Sequence, residues 1–333
     1  MRLGWFVLVV GAAALTAGCV QTSSRSDPYP NRDITLIVPA EAGEITDTVA
    51  RAVAPCLGDR LGGDVVVRNQ PGENGVVGSR AFLDAKADGY TLMISSVGPM
   101  AVTPVLPPER HYRYDDFDYL GAVRSAPVVL FTAEDSPVDS AETLLATAKA
   151  GDPPVTVANR GDTTVEGFAL WHLNRMAQTR LEPAQVDSDA DILRDVAAGE
   201  YTAGLVTLTP ELLTGIESGQ FRPLAAGGHE RPAYLPDVPT IYEVTGYRDL
   251  DPVREPDYTI DTVFSTPGWV GDARYATLSS ALSRCLSTDN IQRAIGAEFM
   301  PPAMAEPWEW DRRYGNLQRA VQHQLNLAET EGR

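Results

Sequence analysis

Short apolar runs rich in Val, Ile and Leu recur along the chain, each followed by a turn and a stretch with helical spacing. This alternation constrains the fold more than any other feature. ITLIVPA (34–40), DVVVRNQ (64–70) and YTLMISS (90–96) have the length and β-branched content of buried strands. Between them, TDTVARAVAPCLGDRLG puts Val49, Ala52, Val53, Cys56 and Leu57 on one helical face, and GSRAFLDAKADG reads as a helix ending near Gly89. Strands alternating with helices imply a parallel sheet covered by helices on both faces.

A second set begins near residue 120. YLGAVRSAPVVLFTAED reads as a long strand interrupted at Pro127, and SAETLLATAKAG as a helix. PVTVANR (154–160) is a strand leading through a turn into the helix VEGFALWHLNRMA. A helix from Asp189 to Ala198, the strand YTAGLVTL, the helix PELLTGIESG and the strand FRPLAAGG follow. YTIDTVFSTPG (258–268) returns to the first unit, and two helices, around 274–286 and 307–328, end the chain. The expected architecture is α/β with two lobes, 29–125 plus 260–333 and 126–259, each a doubly wound sheet, joined by crossing strands. Such an arrangement leaves a cleft between lobes, where small ligands bind.

The net charge of −18 and pI of about 4.6 argue against nucleic-acid binding and against a basic membrane-surface patch. The N-terminus carries its own signal. Arg2 precedes an apolar run, Trp5 to Leu15, which is short of the ~20 residues that span a bilayer but has the length of a signal-peptide core. Residues 1–18 are therefore expected to be a signal peptide. Cys19 follows Thr16-Ala17-Gly18 and resembles the lipidated Cys of bacterial lipoproteins, although Leu15 stands four residues before it rather than three. Residues 19–28 would then be a lipidated polar tether, and the protein exported and anchored to the outer face of the cell membrane, or periplasmic. In an oxidising compartment, Cys56 and Cys285 are disulfide candidates, with two buried free thiols as the alternative.

No motif for catalysis or for a cofactor emerges. His111, His172, His229 and His323 are scattered, without metal-ligand spacing, and no nucleophile elbow or Walker loop is present. Gly72, Gly75 and Gly78 follow a strand but not with dinucleotide-binding spacing. Asp187, Asp189 and Asp191 alternate as in a calcium loop, yet the following Gly and the twelfth-position Glu are missing, so no metal site is expected. Trp308 and Trp310 read as packing residues of the last helix.

Several stretches together resemble the substrate-binding receptors of tripartite tricarboxylate transporters, which have the type II periplasmic-binding-protein fold. YPNRDITLIVPAEAG resembles the family's opening strand and glycine loop. Asn69-Gln70-Pro71-Gly72 with Gly75 and Gly78, Asp88-Gly89-Tyr90-Thr91-Leu92, and LPDVPT (Leu235 to Thr240) with Tyr242-Glu243 and Gly246 match further family motifs in order. The resemblance implies a monomeric receptor that closes two lobes on a small-molecule ligand, usually a carboxylate, and is read by membrane permease subunits; a ligand-sensing lipoprotein for a signalling partner is the alternative. It implies ligand contacts at Ala42, Gly43, Glu44, Thr46 and Asp47, at Ser95, Ser96 and Gly98, at Asn159, Gly161, Thr163 and Thr164, and at Val186 and Asp187.

The ligand loops depart from the family pattern. The second Gly of the first loop is Glu44; in the second-lobe loop a Gly is Thr163 and a His is Gly167; the third loop opens Val186-Asp187-Ser188. Two readings of the acids follow. Thr163 with Glu166, Ser188 with Asp191, and Thr46 or Asp47 alone would serve as helix caps. Alternatively the carboxylates face the cleft and favour a neutral, cationic or metal-complexed ligand, with Arg160 the one base available to an anion in the second-lobe loop.

Overall fold

The computed structural model describes residues 29–105, 112–247, 255–301 and 307–331. The signal segment 1–18, Cys19 with its tether, His111 and the side chain of Trp308 lie outside the described residues.

The first unit runs β1 (Ile34–Val38), α1 (Ile45–Leu61), β2 (Val65–Asn69), α2 (Val76–Leu83) and β3 (Thr91–Ser96). β4 (Asp118–Ala133) leads into the second unit. There follow α3 (Ala141–Ala150), β5 (Val155–Asn159), α4 (Val165–Ala177), β6 (Leu181–Gln185), α5 (Asp189–Ala197), β7 (Ala203–Thr207), α6 (Pro210–Glu217), β8 (Phe221–Ala226) and α7 (Ile241–Thr245). β9 (Thr259–Thr266) returns, and α8 (Asp272–Leu286), α9 (Asp289–Ile295) and α10 (Pro307–Glu331) close the chain.

The strand order is β2-β1-β3-β9-β4-β7-β5-β6, with β8 also on β4. β1, β2 and β3 are parallel, as are β5, β6 and β7; β4 and β9 are antiparallel to each other and to their outer neighbours. The structure is thus a curled mixed sheet in which two parallel sets meet at β4 and β9, the crossing strands expected to join them. Pro127 does not interrupt β4 as the sequence suggested. It sits where β4 exchanges partners: Asp118–Pro127 pair with β9, and Val128–Ala133 pair with β7 and β8. A proline is tolerated there because a missing N–H falls at the handover, while its carbonyl still accepts from Leu208 N at 2.8 Å.

β4 divides its side chains between layers, with two β-bulges, at Tyr119/Gly121 and Ala122/Arg124, shifting the simple alternation in its first half. Leu120 and Val123 face α1, α8 and α9, whereas Tyr119 and Ala122 face α10. Further along, Val129 and Phe131 join the core over α5 and α6, and Val128 and Leu130 the core containing α3 and α4. Cys56 on α1 and Cys285 on α8 form a disulfide, with Cα atoms 5.8 Å apart across 229 residues. Trp310 is buried and stacks on Tyr314. Sequence reasoning missed β6, whose Pro183 marks it as an edge strand, and the short α7 and α9. β2 is likewise an edge strand, with Val66 exposed, although its apolar run reads as buried.

Candidate functional site

Parallel strands aim their C-terminal ends, and the helices that follow them aim their N-termini, at the same edge of a sheet. Here both parallel sets point these ends at one cavity of about 490 Å³. Its walls come from the β1–α1 loop, the β2–α2 loop, the turn after β3, the β5–α4 loop, the start of α5 and the end of β7. Arg124 of β4 with Ile260 and Thr262 of β9 contribute where the two sets meet.

Of the residues singled out in the sequence, Glu44, Thr46, Ser95, Ser96, Gly98, Thr164 and Asp187 line this cavity. Ala42, Gly43, Asp47, Asn159, Gly161, Thr163 and Val186 do not. Most of these hold loop backbone in place instead. Asp47 is buried, and its Oδ2 accepts from Gly43 N at 2.8 Å and Arg51 Nε at 2.9 Å while Oδ1 accepts from Asn69 Nδ2 at 2.9 Å. Burial alone would raise its pKa, but the bonds from Arg51, Gly43 and Asn69 outweigh burial and hold it below the ordinary value. Asn159 is buried and pins the second loop, its Oδ1 accepting from Gly161 N at 2.7 Å. Val186 N donates to Asn159 O at 2.9 Å. Thr163 is a contact across the cleft: its carbonyl accepts from Thr103 Oγ1 at 3.1 Å, and its hydroxyl meets the Asn74 amide.

The caps differ from expectation at two of three helices. Ser188 caps α5, accepting from Asp191 N at 3.1 Å, as its spacing predicts. For α4 the cap is Thr164, not Thr163, and it accepts from Gly167 N at 3.1 Å. Glu166 therefore falls at the second helical position and faces the cavity, where its Oε1 accepts from Thr207 Oγ1 at 2.5 Å. For α1 neither Thr46 nor Asp47 is the cap residue; Glu44 occupies that position and its side chain makes no capping bond. Gly167 has a steric role: a Cβ there would stand 2.2 Å from Gly161 O, so the loop and the first turn of α4 lie too close for any side chain.

Glu44 instead reaches across the cleft. Arg160 Nη2 lies 3.1 Å from its Oε1, and Arg160 Nη1 lies 3.7 Å from Asp189 Oδ1. Burial lowers the Arg160 pKa, but Asp189 and Glu44 more than offset it, and the net shift is upward. Asp189 is half-buried in the cavity wall, and desolvation together with Glu166 pushes its pKa up to about 7, against the pull of Arg160. Arg124 is 1% exposed. Its Nη2 donates to Leu208 O, its guanidinium lies 4.7 Å from the centre of the Phe299 ring, and its Nε has no hydrogen-bond partner. Burial lowers its pKa to about 10, so it stays charged at neutral pH.

In all, six carboxyl side chains line the cavity (Glu41, Glu44, Glu73, Glu166, Asp187, Asp189) against two guanidinium groups. Sequence reasoning placed Glu166 and Asp189 within helix-start patterns but missed Arg124, Asn74, Thr207 and Thr262 as wall residues. Arg124 had a legible signal, a lone charge inside an otherwise apolar strand. Among the described residues no three His, Cys, Asp or Glu side chains are placed to hold a metal ion, and no helix is long and apolar enough to cross a membrane.

Comparison with known proteins agrees with the geometry. The chain is 31% identical to the protein BugT of Bordetella pertussis over 311 residues, 92% of each chain. Its fold resembles that of MatC from Rhodopseudomonas palustris, solved with malate (TM-score 0.73, 21% identity, 88% of this chain and 100% of that one). It also resembles an R. palustris protein solved with adipate (TM-score 0.74, 23% identity, 91% and 98%). Residues 49–300 match the profile of the tripartite tricarboxylate transporter family receptor. With the motifs, the curled two-set sheet and the cavity between the sets in agreement, the chain belongs to the tripartite tricarboxylate transporter family of periplasmic solute receptors.

Proposed function

We propose that this receptor captures a small organic solute in the cavity between its two strand sets and presents the closed form to permease subunits in the membrane. The observation that carries this is the direct bridging of a solute-sized cavity by the Glu44–Arg160 pair, with Asn74 and Thr103 meeting Thr163 beside it. These contacts join residues of the first unit to residues of the second, and they are small enough to open and reform. The moving bodies in this reading are residues 29–125 with 260–333, and residues 126–259. β4 and β9, the strands at the junction, are the hinge.

The solute carries at least one carboxylate. MatC was solved with malate and another relative in fold with adipate. The first turn of α1 offers the matching chemistry, because its cap residue Glu44 is drawn to Arg160 and leaves the leading N–H groups without a side-chain partner. The exported protein works as a monomer held at the outer face of the membrane by lipid on Cys19.

Thermal unfolding of the purified protein against a broad panel of small carboxylates, amino acids, amines and neutral solutes tests capture. A true ligand at 100 times its Kd adds ~2.7 kcal/mol, or roughly 4 °C for a protein of this size. No stabilising solute anywhere in such a panel contradicts the reading. Replacing Cys19 by Ala should move the protein from the membrane to the soluble fraction; continued membrane retention argues against the anchor.

A further inference from the structure

We propose that the solute is an amino carboxylate: one end a carboxylate, the other a protonated nitrogen held by Glu166 and Asp189. This rests on the capture reading above and narrows its ligand class.

The helix-cap explanation of these acids does not survive the geometry. Thr164 caps α4 and Ser188 caps α5, each with its own hydroxyl. Glu166 and Asp189 are left over from capping, and both line the cavity. Neither guanidinium in the wall pairs with Glu166. Arg160 is shared between Glu44 and Asp189, and Arg124 is held against Leu208 O and the Phe299 ring. Glu166 makes a hydrogen bond to Thr207 but no ion pair among the described residues. The side of the cleft built by α4 and α5 is therefore negative.

The opposing wall carries Glu41, Glu44 and Glu73, and the positive elements lie where the two sets meet and at the start of α1. Arg124 adds a buried charge where the two sets meet, and its Nε lacks a partner. The uncapped start of α1 adds open N–H groups on the far wall, where Thr46 lines the cavity. A cavity with a buried guanidinium and a helix start at one place and the unpaired Glu166 at another matches a ligand with one charge of each sign. A dicarboxylate would put its second anion against Glu166 and Asp189, a like-charge contact in a partly dry site. The upward shift of the Asp189 pKa comes first from burial and then from the neighbouring Glu166 charge, against the pull of Arg160.

Isothermal titration of the purified protein with length-matched pairs tests this directly: succinate against 4-aminobutyrate, glutarate against 5-aminopentanoate, and adipate against 6-aminohexanoate. Each pair exchanges one carboxylate for an ammonium group. At the length that fits, the amino carboxylate should bind at least tenfold more tightly. Its affinity should rise from pH 6 to pH 8 as Asp189 loses its proton. Glu166→Gln should erase the preference, and Asp189→Asn gives the same readout should the first variant fold poorly. Tighter or equal binding of the dicarboxylate at every length overturns the inference, as does a preference untouched by both substitutions. If no amino carboxylate of either panel binds while another solute of the wider panel does, this inference fails and capture stands. If nothing in either panel binds, both fail.

Discussion

Replacing Cys56 and Cys285 together by Ala isolates what the disulfide contributes. The bond ties α1 to α8 on one face of the first strand set. Its closed loop of 229 residues spans most of the chain. On the chain-entropy estimate, a loop of 229 residues restricts the unfolded state by ~5.5 kcal/mol at 25 °C. Measured values usually fall below that estimate, so a loss of about 3–5 kcal/mol is expected. With an unfolding entropy of ~2.1 cal/mol/K per residue over roughly 300 residues, this is a fall in Tm of about 5–8 °C. Scanning calorimetry of the oxidised protein, the reduced protein and the double variant supplies the assay. Reduced protein and variant should melt together, well below the oxidised form. Neither Cys lines the cavity, so solute affinity should stay within about twofold. A Tm change under 2 °C, or reduced protein matching the oxidised form, would refute the loop-closure argument.

Other parts of the structure make equally definite predictions. Asp47→Asn weakens three hydrogen bonds at a buried carboxylate and should destabilise the protein by about 1–3 kcal/mol, read by urea titration; an unchanged midpoint would show that the first loop does not depend on it. The depressed Asp47 pKa adds stability that is complete above the unfolded value near 3.8 and lost as pH falls through the folded value; the Asn variant should lose that part of the acid sensitivity. His172 is buried beside Tyr258, and although Glu255 lies 3.6 Å away, burial and Arg175 lower its pKa to about 4. A His held neutral in the fold binds fewer protons than in the unfolded chain, so stability should fall by roughly 3 kcal/mol as pH drops from 6.5 toward 4, and His172→Gln should flatten that slope. Gly167→Ala should cost several kcal/mol or displace the β5–α4 loop, because the added Cβ meets backbone at 2.2 Å; a neutral change in Tm would contradict that packing.

Much of the fold was legible because its signals are local. Short β-branched runs, helical spacing and Gly or hydroxyl residues at helix ends located most strands and helices to within a few residues. What escaped was set by partners distant in sequence. LEPAQ looks like a loop until β5 supplies the neighbour that makes it an edge strand. Pro127 looks like a break until β4 is seen to change partners there.

The site was legible at the level of loops and less so at the level of side chains. The loops that follow β1, β3, β5 and β6 do converge. Within them, a one-residue offset decides whether a side chain caps a helix or enters the cavity. Moving the α4 cap from Thr163 to Thr164 turns Glu166 from a capping partner into a wall residue. Asp47 and Asn159 stand in the ligand-loop motifs, and in the structure each holds the backbone of its own loop. Arg124 came from a strand outside every loop considered.

The most direct test is to titrate 6-aminohexanoate, 5-aminopentanoate and 4-aminobutyrate into the protein and into a Ser96→Phe variant, which adds a ring to a residue of the cavity wall. The account predicts one binding site in the parent protein and loss of binding in a variant that still folds cooperatively. Equal binding to both would place the solute outside the cleft and contradict the account.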